Sequence, residues 1–365
     1  MELILIYIIP FIVCLSSVIY TIVRLIQIAM NKVKSYRFKN DDIDELSIDF
    51  KYLAGKTKFK RLIFIIWMTI GYSILLFGTL YYINSKWMTN VYQRTSENAQ
   101  KYMNVRAPNI NYTTMITKYD SIVSSHIYMD TFKNIDGYPV PWSPMSFDYG
   151  TLMVTNNAYI GSPTEINNAY YTHDTKQKVA TFFLPKLNYK SDDYFGIQPT
   201  HEASDLVKEK NQVAEVAVSF DKPYSYFEIQ SMIPKNLLIN WYWIGFNDDT
   251  NVNAASAPYS GLASNDVAQD SPKDDYGLLS YETYEDFIKN ATDLTWGTVV
   301  SNDFDSYVDL NKQIKKYPNL DKAKFSGVIL TGRTENLTGL DKNKWVFSTN
   351  IGVTAPIKSY ITPIK

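Results

Sequence analysis

Two uncharged apolar runs within the first 83 residues limit how this chain can fold. Leu3–Val23 and Leu62–Ile83 are almost unbroken stretches of aliphatic, aromatic and small residues. Each approaches the roughly 20 residues that a helix needs to cross a hydrocarbon core of about 30 Å. A helix in a soluble core seldom stays apolar on every face for so long. Both runs are therefore expected to be transmembrane helices, within 1–30 and 62–84, with the lipid bilayer as the first partner. Trp67 lies near one end of the second run, and Tyr81, Tyr82 and Trp87 lie at the other, where interfacial aromatics gather.

The first run is expected to be retained. A cleaved signal peptide opens with a positive segment, whereas only Met1 and Glu2 precede this run. Phe11-Ile12-Val13-Cys14 is not a lipobox, because Val13 is not small. The stretch between the runs, 31–61, holds Lys32, Lys34, Arg37, Lys39, Lys51, Lys56, Lys58, Lys60 and Arg61. Positive charge stays in the cytoplasm, so this loop is expected inside and both termini outside. Its acidic part, Asp41-Asp42-Ile43-Asp44-Glu45-Leu46, reads as a solvated linker or a partner-binding segment.

Composition narrows the remainder. A net charge of −1 carries no basic excess, so direct nucleic-acid binding is not expected. The single cysteine, Cys14, rules out an intramolecular disulfide and a cysteine-based metal site. A bias toward Lys, Asn, Ile and Tyr points to an AT-rich genome of the low-GC Gram-positive (Firmicutes) kind.

Beyond residue 85 the pattern is that of an extracytoplasmic mixed α+β domain. Residues 85–104 continue as a helical stalk, and Asn109-Ile110-Asn111-Tyr112 marks the change to strands. Alternation through Ile122–Asp130 is followed by a turn at Asn134-Ile135-Asp136-Gly137 and a proline-extended segment, Tyr138–Trp142. In Val213–Phe220, Ala214, Val216, Val218 and Phe220 line one face, with Glu215 and Ser219 on the other. Asp221-Lys222-Pro223 is expected to end that strand. Ser225 and Glu228 have capping-box spacing for a helix through Ile233, stopped by Pro234. Leu237–Gly245 returns as a strand bearing Trp241 and Trp243. Asn247–Tyr276 reads as a long surface loop. Helices are expected around Tyr284–Ala291 and Phe304–Lys316, and strands at Phe325–Leu330 and Trp345–Val353.

No catalytic, cofactor-binding or metal-binding residue emerges, and no enzyme is expected. His126, His173 and His201 stand in no metal-ligand spacing. Asp249, Asn251 and Asn253 mimic the start of a calcium loop, but Ala254 replaces the required Gly and Ser260 the bidentate Glu. Nucleophile elbows, phosphate loops and dinucleotide fingerprints are missing. Carboxylates are plentiful without any pair singled out by spacing, so an extracellular hydrolase is the least favoured reading. The abundant aromatics fit either a β-rich core or sugar stacking. Asn111, Asn290 and Asn336 head Asn-x-Ser/Thr triplets, which matter only in a eukaryotic secretory pathway.

One resemblance ties these segments together. Val213-Ala214-Glu215-Val216-Ala217-Val218-Ser219-Phe220-Asp221-Lys222-Pro223-Tyr224-Ser225 resembles the core of the bacterial sigma-factor-regulator C-terminal domain. Ile239-Asn240-Trp241-Tyr242-Trp243 resembles the tryptophan-bearing strand that follows it there. Lys176–Phe183 and Thr338–Ser348 are also similar to that family, and Lys58–Gly150 resembles the companion N-terminal regulator domain. The resemblance implies an N-terminal regulator-like region with its stalk over 85–165 and a C-terminal regulator-like ectodomain over 166–365. It further implies a membrane-bound anti-sigma factor, with an extracytoplasmic-function sigma factor as partner, that senses envelope conditions through the outer domain. Where family members place a cytoplasmic segment before one span, this chain has an extra first span and about 30 residues between its runs. A partner membrane subunit is thus a second expectation. A cell-surface binding module for wall polymer or protein is the alternative.

Overall fold

The computed structural model describes residues 16, 18–28, 45–151, 158–160, 164–172, 174–185, 189, 198–245, 261–263, 283–294, 310, 312 and 314–365. They fall into two units, Met1–Asn90 and Val91–Lys365.

In the first unit, α1 is the short apolar helix Val18–Ile28, and most of the Leu3–Val23 run lies outside the described residues. The helix α2, Glu45–Arg106, begins here. The run Leu62–Ile83 holds neither a proline nor a charge that would interrupt it. From Ala54 onward α2 is long and apolar enough to cross a membrane. Its large apolar side chains face outward: Phe64 is 65%, Trp67 69% and Phe77 68% exposed. Such a surface is suited to lipid rather than water. Thr69 and Thr79 donate to the carbonyls of Ile65 (2.9 Å) and Leu75 (2.8 Å), which satisfies their hydroxyls within the helix. The hydroxyls of Thr21 on α1 and Thr69 lie 3.5 Å apart. Half of the stretch expected as a loop, from Glu45 to Arg61, is already helical, and Lys56, Lys58, Lys60 and Arg61 are exposed on it.

The second unit is β-rich. The last turns of α2 do not stand free as a stalk. They pack on a sheet, with the Tyr92 ring 5.9 Å from that of Tyr149 and Tyr102 edge-on to Phe147. That antiparallel sheet runs β1 (Ile110–Tyr119), β2 (Ser124–Ile135), β4 (Met145–Gly150), β5 (Ala158–Ile160), and β3 (Tyr138–Pro141) also pairs with β2. On β2 the odd positions Ile127, Met129, Thr131, Lys133 and Ile135 point inward, as strict alternation requires. A small hairpin, β6 (Thr164–Ile166) and β7 (Ala169–Tyr171), turns through Asn167 and Asn168 at φ 50 and 62. Asparagine tolerates this left-handed geometry better than other side chains do.

The second sheet has the order β10 (Gly261–Ala263), β9 (Leu238–Trp243), β11 (Lys324–Arg333), β8 (Gln212–Ser225), β12 (Val346–Pro356), all antiparallel. Its interior strand β8, between β11 and β12, is buried on both faces from Val213 to Phe220. One face meets Ala180 and Phe182, whose ring stacks on Trp243 at 4.7 Å. The other carries Phe220 against Trp345, and Tyr242 between Phe325 and Tyr226. Glu215 and Ser219, on the face opposite Ala214, Val216, Val218 and Phe220, are buried because both faces of β8 are covered there. One sequence expectation changes. The strand continues past Pro223 to Ser225: the ladder to β11 jumps from Ser219 to Tyr224, so Asp221–Pro223 fall in an irregularity where no ladder hydrogen bond is required.

The helix α3 (Tyr226–Met232) opens on the expected capping box, with Ser225 Oγ accepting from Glu228 N and Glu228 reaching back to Ser225 N. The helix α4 (Tyr284–Asp293) carries a second box, Thr283 with Asp286, which the sequence reading did not register. Short turns of helix at η1 (Ala203–Lys208), α5 (Thr334–Leu337) and η2 (Leu340–Lys342) cover the β8–β12 side. The loop Asn247–Tyr276 lies outside the described residues except for β10. Of Phe304–Lys316, the described residues 310, 312 and 314–316 are helical.

Candidate functional site

The least ordinary chemistry in the molecule lies where the two sheets meet. Lys133 on β2 and Glu215 on β8 form an ion pair with side chains 2% and 0% exposed. The ammonium donates to both carboxylate oxygens, at 2.9 and 2.8 Å. Desolvating two charges costs several kcal/mol per ion, so such a pair persists only when its remaining hydrogen-bonding capacity is filled. Here it is. Asn109 Nδ2 donates to Glu215 Oε1 at 2.9 Å, and the Lys133 ammonium lies 4.3 Å from the centre of the Trp142 ring.

Asn109 reaches the pair because of its backbone. At φ 52 it makes the left-handed turn between α2 and β1, and the same amide donates to Asn134 O at 3.1 Å. Asn240 on β9 extends the network. Its Nδ2 donates to Asn109 Oδ1 and to Asn134 O, both at 2.9 Å, and its Oδ1 accepts from Thr331 on β11 at 2.8 Å. Thr331 Oγ1 in turn accepts from Asp136 N at 3.2 Å. Five side chains from five places in the sequence, with the backbone of Asn134 and Asp136, thus form one buried polar chain across the inter-sheet seam. Ile135, Tyr138, Val140, Trp142, Val213 and Val353 form a buried apolar cluster that meets it at the Trp142 ring over Lys133.

Asp136 ends the chain at the tight β2–β3 turn, where Asp136 and Gly137 take φ 53 and 90. Its carbonyl accepts from Ile364 N at 3.2 Å and its Oδ1 from Lys365 N at 2.9 Å. Burial pushes its carboxyl up to about 6, against the pull of those two amides and of the charges on Arg333 and Lys365. Tyr138 binds the same returning segment through its hydroxyl, which donates to Ile361 O.

The histidines are scattered. His126 pairs with Asp120 at 3.1 Å on the outer side of β2, His201 pairs with Asp341 at 3.3 Å, and His173 lies outside the described residues. Asp249, Asn251, Asn253, Ala254 and Ser260 also lie outside them. Among the described residues no group of three His, Cys, Asp or Glu side chains is placed to hold a metal ion. Trp142, Trp241 and Trp243 are buried core residues, so these rings offer no stacking surface.

The sequence reading missed this network although two signals for it were present. Glu215 is a lone charge in a run that is otherwise entirely buried. Lys133 shares the parity of Ile127, Met129 and Ile135, so the alternation alone turns it inward.

Two family models match the chain, Sigma factor regulator N-terminal over residues 51–140 and Sigma factor regulator C-terminal over residues 207–353. Neither a curated protein nor a solved structure matches it. Lys133 falls within the first matched stretch and Glu215 within the second, so the buried pair joins the two modules. The chain belongs to the sigma factor regulator family.

Proposed function

We propose that this chain is a membrane-bound anti-sigma factor whose β-rich unit senses conditions in the cell envelope. The observation that carries the reading is the seam itself. It ties the C-terminal regulator module to the N-terminal one, and the N-terminal module includes the end of α2 packed under Tyr149 and Phe147. A change felt in the C-terminal sheet is thereby passed to the helix that carries the apolar run. In this reading both apolar runs span the membrane, both termini lie outside, and the basic stretch 31–61 faces the cytoplasm. The helical residues Glu45–Arg61, with Lys56, Lys58, Lys60 and Arg61 exposed around the helix and Lys56 and Lys60 on one face, supply a preformed basic helix for an acidic patch on a sigma factor or on a membrane subunit that recruits one.

The test is an affinity capture of the full-length, detergent-solubilised protein from its host, with bound proteins identified by mass spectrometry. Recovery of a sigma factor, lost when residues 31–61 are replaced by a neutral linker, supports the reading. Recovery that survives that replacement removes the loop from it, and recovery of wall components alone turns the search toward a surface binding role.

A further inference from the structure

The hairpin joining β1 to β2 carries apolar side chains that the fold leaves uncovered. Tyr119 is 82% exposed and Ile122 62%, although each would be expected to seek a core. Its place in the unit is fixed by contacts. Ser96 on α2 donates to Met115 Sδ at 3.3 Å, and β1 then runs on for four residues to Tyr119. Tyr119 pairs with Ser125, Ser125 pairs with Tyr149, and Tyr149 packs against Tyr92. The hairpin tip therefore lies at the end of the unit where the chain enters it, beside Tyr92. By sequence that entry, Val91, follows the end of the apolar run at Ile83 by eight residues.

Several backbone groups of the tip are satisfied within the protein. Asp120 N and Ser121 N both donate to Ser124 O, at 3.2 and 3.0 Å. Val123 N and Ser124 N both donate to Ser121 Oγ, at 3.2 and 3.0 Å, and Val123 O accepts from Thr151 N at 3.0 Å. Entering a less polar medium would strip none of these groups of a partner, which is the usual barrier to placing a turn there. The one carboxylate, Asp120, is held by His126. The one cation, Lys118, lies 3.7 Å over the Tyr128 ring, where a headgroup phosphate can approach it.

We infer that the β1–β2 tip docks into the headgroup region of the bilayer, with Tyr119 and Ile122 as its apolar contacts and an anionic lipid surface as its partner. Tyrosine favours that depth because its ring is apolar and its hydroxyl reaches water. The inference rests on the membrane reading above and adds a second attachment of the sensor unit, apart from the helix.

The experiment uses the full chain with Cys14→Ser and one new cysteine at a time, labelled with an environment-sensitive fluorophore. The protein is reconstituted in vesicles of phosphatidylglycerol and phosphatidylcholine with brominated acyl chains. The sites are Ile122→Cys at the tip, Leu75→Cys in the apolar run, and Val207→Cys on η1 as an exposed site away from the hairpin. Quenching at 75 and 122 but not at 207 is expected, together with a blue shift at 122. Quenching at 75 without 122 overturns the docking and leaves the membrane reading intact, and a protein partner then becomes the candidate for the tip. Quenching at neither site overturns both. Quenching at all three reduces the contact to general adsorption and overturns it. Tyr119→Lys together with Ile122→Lys should abolish the blue shift of a label placed at Val123→Cys, with the melting temperature unchanged.

Discussion

Gly352 on β12 leaves Glu215 on β8 the room to stay in the seam. A methyl group on Gly352 would strike Glu215 Oε2 and lie 2.9 Å from the Cβ of Ala180. Close approach, not backbone conformation, is what demands glycine here. Gly352→Ala should destabilise the protein by about 1–3 kcal/mol, the usual penalty for forcing a group into a filled core. Urea denaturation of the detergent-solubilised chain measures it, and an unchanged midpoint would show that Glu215 can move aside.

The buried pair should reveal itself through a double substitution. Lys133→Met leaves the Glu215 carboxylate desolvated without its counter-charge, which typically costs about 3–5 kcal/mol. Adding Glu215→Leu removes the orphaned charge and should restore most of that loss, so the two effects should be far from additive. Strict additivity would mean that the two side chains do not act as a pair.

Asp136 should make stability depend on pH in the direction opposite to most carboxylates. Its folded value, about 6, lies above its ordinary 3.8, so the fold favours the protonated form. The stability it contributes is complete below about 3.8 and is lost as the pH rises through 6. Asp136→Asn, which tolerates the same left-handed backbone, should therefore stabilise the protein at pH 7.5 by an amount of order 1–3 kcal/mol. That advantage should vanish near pH 4, as read by thermal melts across the range.

The α3 cap predicts an acid-side effect of the usual sign. Hydrogen bonds from the Ser225 side chain, then its backbone, then Lys324, hold the Glu228 carboxyl down to about 2. Its contribution is present above the ordinary 4.5 and is lost as the pH falls from there toward 2. Ser225→Ala should cost about 1 kcal/mol at neutral pH and flatten the acid limb of the stability curve. An unaltered acid limb would assign that limb to other groups.

Much of the second unit was legible because its signals are local. The Ser225–Glu228 spacing specifies a cap within four residues, and Asp136-Gly137 specifies a tight turn within two. The Trp241 and Trp243 strand declares itself by composition. The pairing across the seam was not legible because it is a meeting of distant residues. Lys133 and Glu215 are 82 positions apart, and nothing in either segment says that the other will cover it. The alternation of Val213–Phe220 separated two faces of a strand, and only the arrival of Phe182 on one face and of Trp345 and the Tyr226 cluster on the other makes both faces interior. Asn109 marked a change of structure in the sequence, but its left-handed turn, which aims the amide at Glu215, depends on how α2 ends.

The seam also bears on how the two regulator modules could have travelled through evolution. Family models register them as separate stretches, yet each contributes one half of a charge pair that neither can keep in its interior alone. Severed between residues 140 and 207, the N-terminal part would keep a lysine with no acid, and the C-terminal part an acid with no lysine. Such halves could not be shuffled independently onto new partners without first losing those charges. In this chain the two modules therefore depend on one another for the balance of their buried charge.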